Sequence, residues 1–182
     1  MTRALVVFES MFGNTEVIAR AIGEGLSDKV PVRVVRAGPD VVLDEDVELL
    51  VVGGPTHAFG MTRPATRESA GQQGAASSAA KGTGVREWLD RVGTATCRVG
   101  TATCRVATFD TRVHKKGLPG SAARGAEKKL GKAGARVLAP ATSFWVTSTQ
   151  GPLLPGEEDR ARQWGNELGV RLLLRTSTHT AS

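Results

Sequence analysis

The chain has 182 residues, with 24 Lys and Arg against 18 Asp and Glu, and its net charge is +6. This length suits one domain with a full core, since a domain of this size buries roughly 70% of the surface that its unfolded chain exposes. The basic excess favours acidic partners or anionic ligands, although a solvated basic surface without a partner explains it equally well.

Cysteine spacing and hydropathy exclude several classes of protein. Cys97 and Cys104 have no His or Cys nearby, so they indicate neither a metal site nor a disulfide framework. No apolar run approaches the roughly 18 residues of a membrane span, and the first residues do not resemble a secretory leader. We therefore expect a soluble cytoplasmic protein.

The first predicted element is a buried strand over residues 4–8, which form a continuous apolar run. Apolar residues recur at helical spacing from residue 17, so residues 9–15 form a strand-to-helix turn. Such a turn directs free backbone N–H groups and the positive end of a helix dipole beyond the strand. Ser10, Asn14 and Thr15 add side-chain donors, and the turn predicts a phosphate-binding loop.

Two more strands are predicted before residue 60. Residues 32–35 have mixed polarity, which favours the edge of a sheet, and residues 49–53 are apolar throughout, which favours its centre. Residues 61–84 are rich in Ala, Gly, Ser and Gln and have few large apolar side chains, so they predict a mobile surface loop. An amphipathic helix should follow from residue 85.

A seven-residue segment, RVGTATC, occurs twice in tandem, at residues 91–97 and 98–104. Two copies are too few for a repeat architecture, so one copy is surplus. We expect the fourth strand at residues 104–110, because the earlier copy has a strand-weakening glycine at position 100. The surplus copy is then an inert insertion, an altered helix end, an interaction loop or an artificial duplication.

The remainder predicts two helices and a final strand. Ser121 is a candidate N-cap, a strand opens at residue 136 and is ended or bent by Pro140, and residues 143–146 continue it. A last helix begins near Glu157 and a polar tail occupies residues 177–182. The pattern predicts a single α/β domain over residues 1–176, with a doubly wound, five-stranded parallel sheet whose ligand lies at the carboxyl ends of the strands.

Three loops carry a family resemblance. The segments SMFGNT at 10–15, GGPT at 53–56 and FDTR at 109–112 each follow a predicted strand and resemble flavodoxins, in particular the flavodoxin-like proteins of high-GC bacteria. The resemblance covers the chain apart from residues 61–84 and the surplus repeat. It implies a flavodoxin-like fold with strand order 2-1-3-4-5, one non-covalent FMN and electron transfer through that flavin.

The resemblance also implies a set of cofactor-binding residues. The first loop would hold the FMN phosphate, the second would pass beside the flavin ring and the third would lie near its pyrimidine edge. These residues are Ser10, Met11, Phe12, Gly13, Asn14 and Thr15 in the first loop, Pro55, Thr56, His57, Ala58, Phe59 and Gly60 in the second, and Asp110, Thr111, Arg112, His114 and Gly117 in the third.

The chain departs from the flavodoxin pattern in its aromatic and charged residues. Phe12 stands where flavodoxins commonly have Thr or Ser, which removes one hydroxyl donor, and the chain has no Tyr to cover the flavin. Lys115 and Lys116, with Arg112, Arg63 and Arg67, would favour a reduced, anionic flavin and raise its potential, unless they point into solvent and are screened.

Three functions fit these residues. The leading one is an FMN electron carrier for acidic redox partners, and the alternatives are an FMN-dependent NAD(P)H-quinone reductase and an interaction module that has lost FMN. The sequence contains no Walker lysine motif, no dinucleotide glycine pattern and no phosphoacceptor Asp after the third strand. It indicates no catalytic residue, no metal site and no specific nucleic-acid binding, and we expect a monomer or weak homodimer.

Overall fold

The computed structural model describes residues 3–44, 46–57, 60–92, 104–115 and 119–177. Across these ranges strands and helices alternate along most of the chain. In order, they are β1 (Ala4–Phe8), α1 (Asn14–Ser27), β2 (Val32–Arg36), β3 (Leu49–Pro55), α2 (Pro64–Gln72), α3 (Ser77–Lys81), α4 (Val85–Val92), β4 (Arg105–Val113), α5 (Ala122–Lys132), β5 (Arg136–Val137), β6 (Thr142–Val146) and α6 (Glu157–Ser177).

The sheet is parallel and its strands follow the order β2-β1-β3-β4-β5, which confirms the predicted order. The predicted fifth strand is divided into two pieces that lie along the same side of β4. The first piece, β5, pairs with the start of β4, and β6 pairs with its second half. Pro140 lies between them, where a residue without an N–H cannot extend the ladder.

Helices cover both faces of the sheet and divide the core into two clusters. One cluster joins Ile18 and Ile22 of α1 and Leu168 of α6 to one face of the central strands. The other joins Trp88 of α4 and Leu130 of α5 to the opposite face. Every residue of β1 and β3 is buried because both faces are covered, whereas β2 at the edge is half-exposed as its mixed polarity predicts.

The prediction of a loop at residues 61–84 is wrong for two stretches, because α2 and α3 lie there. Pro64 occupies the first turn of α2, where its missing N–H is tolerated, and the hydroxyl of Thr66 accepts a hydrogen bond from the Arg63 amide. Ala70 and Ala79 are buried against Met11. Small side chains suffice here because the two helices pack against a loop and build no core of their own.

The fourth strand begins at Arg105, next to its predicted start, and extends three residues beyond the predicted end. Residues 91 and 92 end α4, whereas residues 93–103 lie outside the described ranges, so the role of the surplus copy stays a prediction. Ser121 caps α5 by accepting a hydrogen bond from the Arg124 amide, as expected. None of the helices in the described ranges is long and apolar enough to cross a membrane.

Candidate functional site

A groove with about 540 Å³ of open space lies at the carboxyl edge of the sheet. The loops that follow β1 and β3 and the end of β4 all contribute to its wall. The lining residues are Met11, Phe12, Asn14, Thr15, Pro55, Thr56, His57, Thr111, Arg112, Val113, Val146 and Thr149. The topology therefore brings together the three segments that the sequence singles out.

The first loop presents backbone donors to this groove. Gly13 is the N-cap of α1 with a φ of +90°, a left-handed conformation that strains any residue with a Cβ. Its amide donates to the Ser10 hydroxyl over 3.1 Å, which closes the turn. The amides in the first turn of α1 have no acceptor within the helix, so they and the helix dipole form a site for an anion.

The side chains of Asn14 and Thr15 already have hydrogen-bond partners in the protein. The hydroxyls of Thr15 and Thr111 are 2.6 Å apart, and the Asn14 amide nitrogen donates to the Gln150 carbonyl over 3.0 Å. A bond between two hydroxyls uses only one of their hydrogens, so the threonine pair retains one donor. The loop can therefore hold a phosphate through backbone amides, the hydroxyl hydrogen of Ser10 and the one left on the threonine pair, while Asn14 is bonded to the loop after β6.

Asp110 is buried within β4 and does not line the groove. Its Oδ2 accepts hydrogen bonds from the Thr56 hydroxyl at 2.9 Å, the Ser121 hydroxyl at 2.6 Å and the Ala123 amide at 3.1 Å. The carboxylate thus joins the loop after β3 to the start of α5. These three donors hold Asp110 inside the protein, and its predicted place at the flavin edge stays a prediction.

Arg112 lines the groove and its guanidinium lies 5.7 Å from the centre of the Trp145 ring. His114 contacts the same indole from its edge, with the ring centres 5.1 Å apart, and does not line the groove. This arrangement places a cation beside an aromatic ring at one end of the groove, where the positive charge favours an anionic or electron-rich ligand.

In the second loop His57 and Gly60 pair with each other. The amide of His57 donates to the Gly60 carbonyl and the amide of Gly60 donates to the His57 carbonyl, each over 3.0 Å. Burial lowers the pKa of the His57 imidazole from its ordinary value of 6.5. His57 is therefore neutral at pH 7 and offers the groove one N–H donor, one acceptor nitrogen and an apolar ring face.

The structure divides the predicted site residues into three groups. Nine line the groove, namely Met11, Phe12, Asn14, Thr15, Pro55, Thr56, His57, Thr111 and Arg112. Ser10, Gly13, Gly60, Asp110 and His114 lie next to it and hold its loops or pack beside them. Ala58, Phe59 and Gly117 lie outside the described residues.

Sequence reasoning missed Val113, Val146 and Thr149. The last belongs to a polar stretch, residues 147–151, that follows β6 at the same edge of the sheet as the three predicted loops. Its position after a parallel strand, just before Gly151 and Pro152, was the available signal. Thr149 also lines a smaller depression that shares His57 with the groove and extends to Ser69 and Gln73 of the α2 region.

Arg67 does not supply charge to the groove, contrary to expectation. Its side chain is buried and its guanidinium donates to the Thr62 hydroxyl at 3.2 Å and to the Glu87 carboxylate at 3.1 Å. Thr62 in turn donates to Glu9, whose other carboxylate oxygen accepts from the Val85 amide at 2.9 Å. These contacts hold α2 and α4 against the end of β1, so Arg67 positions the segment that covers Met11.

Comparisons with known proteins identify the fold. No protein-family model and no curated protein matches the chain. Solved structures with similar folds include a flavodoxin from the domain Archaea (TM-score 0.61, 21% identity, 93% of this chain and 97% of that chain) and oxidised flavodoxin 1 from Bacillus cereus (0.59, 18%, 91% and 95%). The flavodiiron core of a Synechocystis protein is also similar (0.60, 16%), with 96% of this chain covering 36% of that one.

These similarities show a flavodoxin-like fold for this chain. At identities of 14–21% they carry no residue roles, and they give no support to the high-GC bacterial type that the loop motifs resemble.

Proposed function

We propose that the protein binds FMN in the groove at the carboxyl edge of the sheet and transfers electrons between redox partners. The observation that carries this proposal is that the loop before α1, the loop after β3 and the end of β4 line one groove, and that the N-terminal residues of a helix, Asn14 and Thr15, belong to that lining. The similar structures named as flavodoxins support the same cofactor class.

The residues present fit a mononucleotide with one phosphate. The amides at the start of α1 and the remaining donor of the Thr15–Thr111 pair would hold the phosphate, and the walls formed by Thr56, His57 and Arg112 would contact the ring. When bound, FMN supplies the electron-transfer chemistry. The protein positions the ring, limits water at the groove and places the Arg112 charge beside it, and it needs no catalytic acid or base of its own.

A reductase is the second candidate, and the smaller depression next to the groove favours it. His57 and Thr149 line both spaces, so a second molecule lying between α2 and the loop after β6 would adjoin whatever occupies the groove. A carrier has no need of such a space, whereas an enzyme that reduces a small molecule does. This observation keeps FMN-dependent NAD(P)H-quinone reduction as the alternative activity.

The first test is whether protein purified from cells contains flavin. We expect a yellow protein whose visible absorbance moves to the filtrate after acid treatment, with the released flavin identified as FMN by chromatography. The apoprotein should then bind added FMN with quenching of flavin fluorescence, whereas riboflavin without the phosphate should bind much more weakly because the amides of α1 have no anion to hold.

Turnover distinguishes the two FMN functions. Steady oxidation of NADPH in the presence of a quinone would identify the reductase. An FMN-loaded protein that exchanges electrons with partner proteins but does not turn over NADPH and quinone is a carrier. A colourless protein that does not bind added FMN would overturn both and leave the interaction module. The acidic partner, the cytoplasmic location and the monomer or weak homodimer remain part of the proposal.

A further inference from the structure

Three arginines line a second pocket at the opposite, amino edge of the sheet. Arg105 and Arg136 are the first residues of β4 and β5, and Arg175 lies near the end of α6. Val137 and Leu138 complete the lining, and the pocket has about 630 Å³ of open space. We call it the arginine pocket, and the proposed function of the groove makes no use of it.

The register of the sheet places two of these arginines side by side. Arg105 and Arg136 are direct partners in the parallel pair of β4 and β5, where adjacent strands lie about 4.8 Å apart. Val106 packs against the α4 and α5 side, so alternation along the strand directs Arg105 to the side of α1 and α6. The two guanidinium groups therefore share one face with the end of α6, where Arg175 lines the same pocket.

No carboxylate in the described part of the chain pairs with the side chain of Arg105 or Arg136. The neighbouring acid is Glu48, whose carbonyl accepts the Arg105 amide at 3.0 Å. Its carboxylate is already bound by Arg3 through two contacts, at 3.0 and 2.7 Å. Glu48 therefore does not neutralise the positive charge of Arg105.

Protection of a sheet edge explains only part of this arrangement. A charged residue on the short edge strand β5 discourages pairing with another chain, which accounts for Arg136. Arg105 lies on an interior strand, with Leu49 opposite it on β3 and Arg136 on β5. Like charges directly opposite each other destabilise a strand pair, so a second arginine at this position has a cost that edge protection does not require.

We propose that the arginine pocket binds a small molecule through a phosphate group. Guanidinium groups present paired N–H donors that match the oxygens of a phosphate, and two or three of them around one anion remove their mutual repulsion. The concave shape and the apolar atoms that Val137 and Leu138 add to the lining suit a compact ligand with an apolar portion next to its phosphate. This site is separate from the groove, which lies at the other end of the strands.

Inorganic phosphate is the probe for this site, observed through the arginine side-chain Nε–Hε signals in NMR spectra. Titration at constant ionic strength should shift the signals of Arg105 and Arg136 along saturable curves with a Kd of about 1 mM. Arg124, an exposed arginine at the start of α5, should show only the small linear change that chloride also causes. Arg105→Gln and Arg136→Gln should each weaken binding at least about tenfold, whereas Arg124→Gln should not.

Two results would overturn the proposal. The first is that the NMR signals of Arg105 and Arg136 shift without saturating, or shift equally with chloride. Either result would mean that these arginines are solvated and bind no specific anion. The second is saturable binding of an oligoglutamate peptide without saturable binding of phosphate, which would assign the pocket to an acidic protein segment. Phosphate that binds in the groove should instead shift the backbone amide signals of Asn14 and Thr15. The NMR spectra therefore distinguish binding in the groove from binding in the arginine pocket.

Discussion

The hydroxyl groups of Thr15 and Thr111 lie 2.6 Å apart in a buried contact that joins the first turn of α1 to the end of β4. Two of the three segments that line the groove are thereby fixed to each other, across 96 residues of sequence. The same pair retains one hydroxyl hydrogen that can donate to an anion at the start of α1. Its contributions to stability and to FMN binding can be separated by mutation.

Thr15→Val and Thr111→Val should each lower the free energy of unfolding by about 1–3 kcal/mol, because each leaves one buried hydroxyl without its partner. The double variant should be closer to the wild type, since replacing both partners by apolar groups of the same shape leaves no orphaned group. Urea unfolding of the three variants measures this relationship. A double variant whose loss equals the sum of the two single losses would contradict it.

The same double variant tests the phosphate-binding role. We expect it to bind FMN roughly 10- to 100-fold more weakly, since a hydrogen bond to a charged group contributes about 1.5–3 kcal/mol. Riboflavin binding should be unaffected, because riboflavin carries no phosphate. Equal weakening for both ligands would mean that the threonines shape the groove and do not contact the anion.

Phe12 should limit the affinity for FMN. Phe12→Ser restores a hydroxyl at a position where the loop amides converge, so it should tighten FMN binding by about 1 kcal/mol, or roughly fivefold. The change also removes a ring that packs against Met11, Ala70 and Ala79, so the apoprotein should lose stability. Phe12→Ala is the matched control: it loses the same packing without gaining a donor, and tighter binding by both variants would indicate relief of a steric block.

Glu9 should make stability depend on pH. Burial raises the pKa of its carboxyl above the ordinary value of 4.5, although hydrogen bonds from Thr62 and Val85 and the nearby Arg67 oppose this. A group whose pKa is raised in the folded state contributes stability that is complete below its unfolded pKa and is lost as pH rises through the folded value. Glu9→Gln should remove this loss, as measured by urea unfolding between pH about 4 and 7.

Glu16 provides a control of opposite sign. A hydrogen bond from Arg20 lowers its pKa below 4.5, with further help from Arg36, so its contribution is present above that value and is lost as pH falls. Glu16→Gln should therefore lower stability at pH 7 by a few tenths of a kcal/mol, because the carboxylate is partly exposed. If Glu9→Gln gave the same profile as Glu16→Gln, the burial of Glu9 would not govern its titration.

Periodicity and strand order were sufficient to predict which loops meet at the groove. Continuous apolar runs identify β1 and β3 as central strands. Because the carboxyl ends of parallel strands lie at one edge of the sheet, the sequence alone predicts that Thr15, Pro55 and Thr111 lie together. The long-range hydrogen bonds could not be predicted in this way. The bond from Asn14 to the Gln150 carbonyl spans 136 residues, and no local pattern in either segment encodes it.

Arg67 shows why charge alone is a poor guide to the site. In the sequence it is one of several basic residues near the predicted flavin, within a stretch too poor in large side chains to predict structure. Its buried network includes Thr62 from the same stretch, and Glu87 and Glu9 from two other segments of the chain. A basic residue that completes a buried network and one that faces a ligand have the same sequence signature, and only the contacts distinguish them.

Gly53 lies in β3, close to the end of the strand that meets the groove. A Cβ at this position would lie 2.1 Å from the ring of Phe109, which is fully buried and packed edge-on against Phe144 and Trp164, with ring centres 6.2 and 6.5 Å away. Either the buried ring or the strand must shift to admit the methyl group, so Gly53→Ala should lower the free energy of unfolding by about 3 kcal/mol.

Gly131→Ala is the matched control for Gly53→Ala, because nothing lies within 4 Å of the Cβ position at Gly131 near the end of α5. Alanine there should raise stability by up to about 1 kcal/mol through its greater helix propensity. Guanidinium unfolding of both variants gives the comparison. A Gly53→Ala variant about as stable as the wild type would show that the aromatic cluster of Phe109, Phe144 and Trp164 can rearrange. The strand that leads to Pro55 and Thr56 would then not be rigidly placed, and the groove would lose the fixed wall on which its fit to a flavin ring depends.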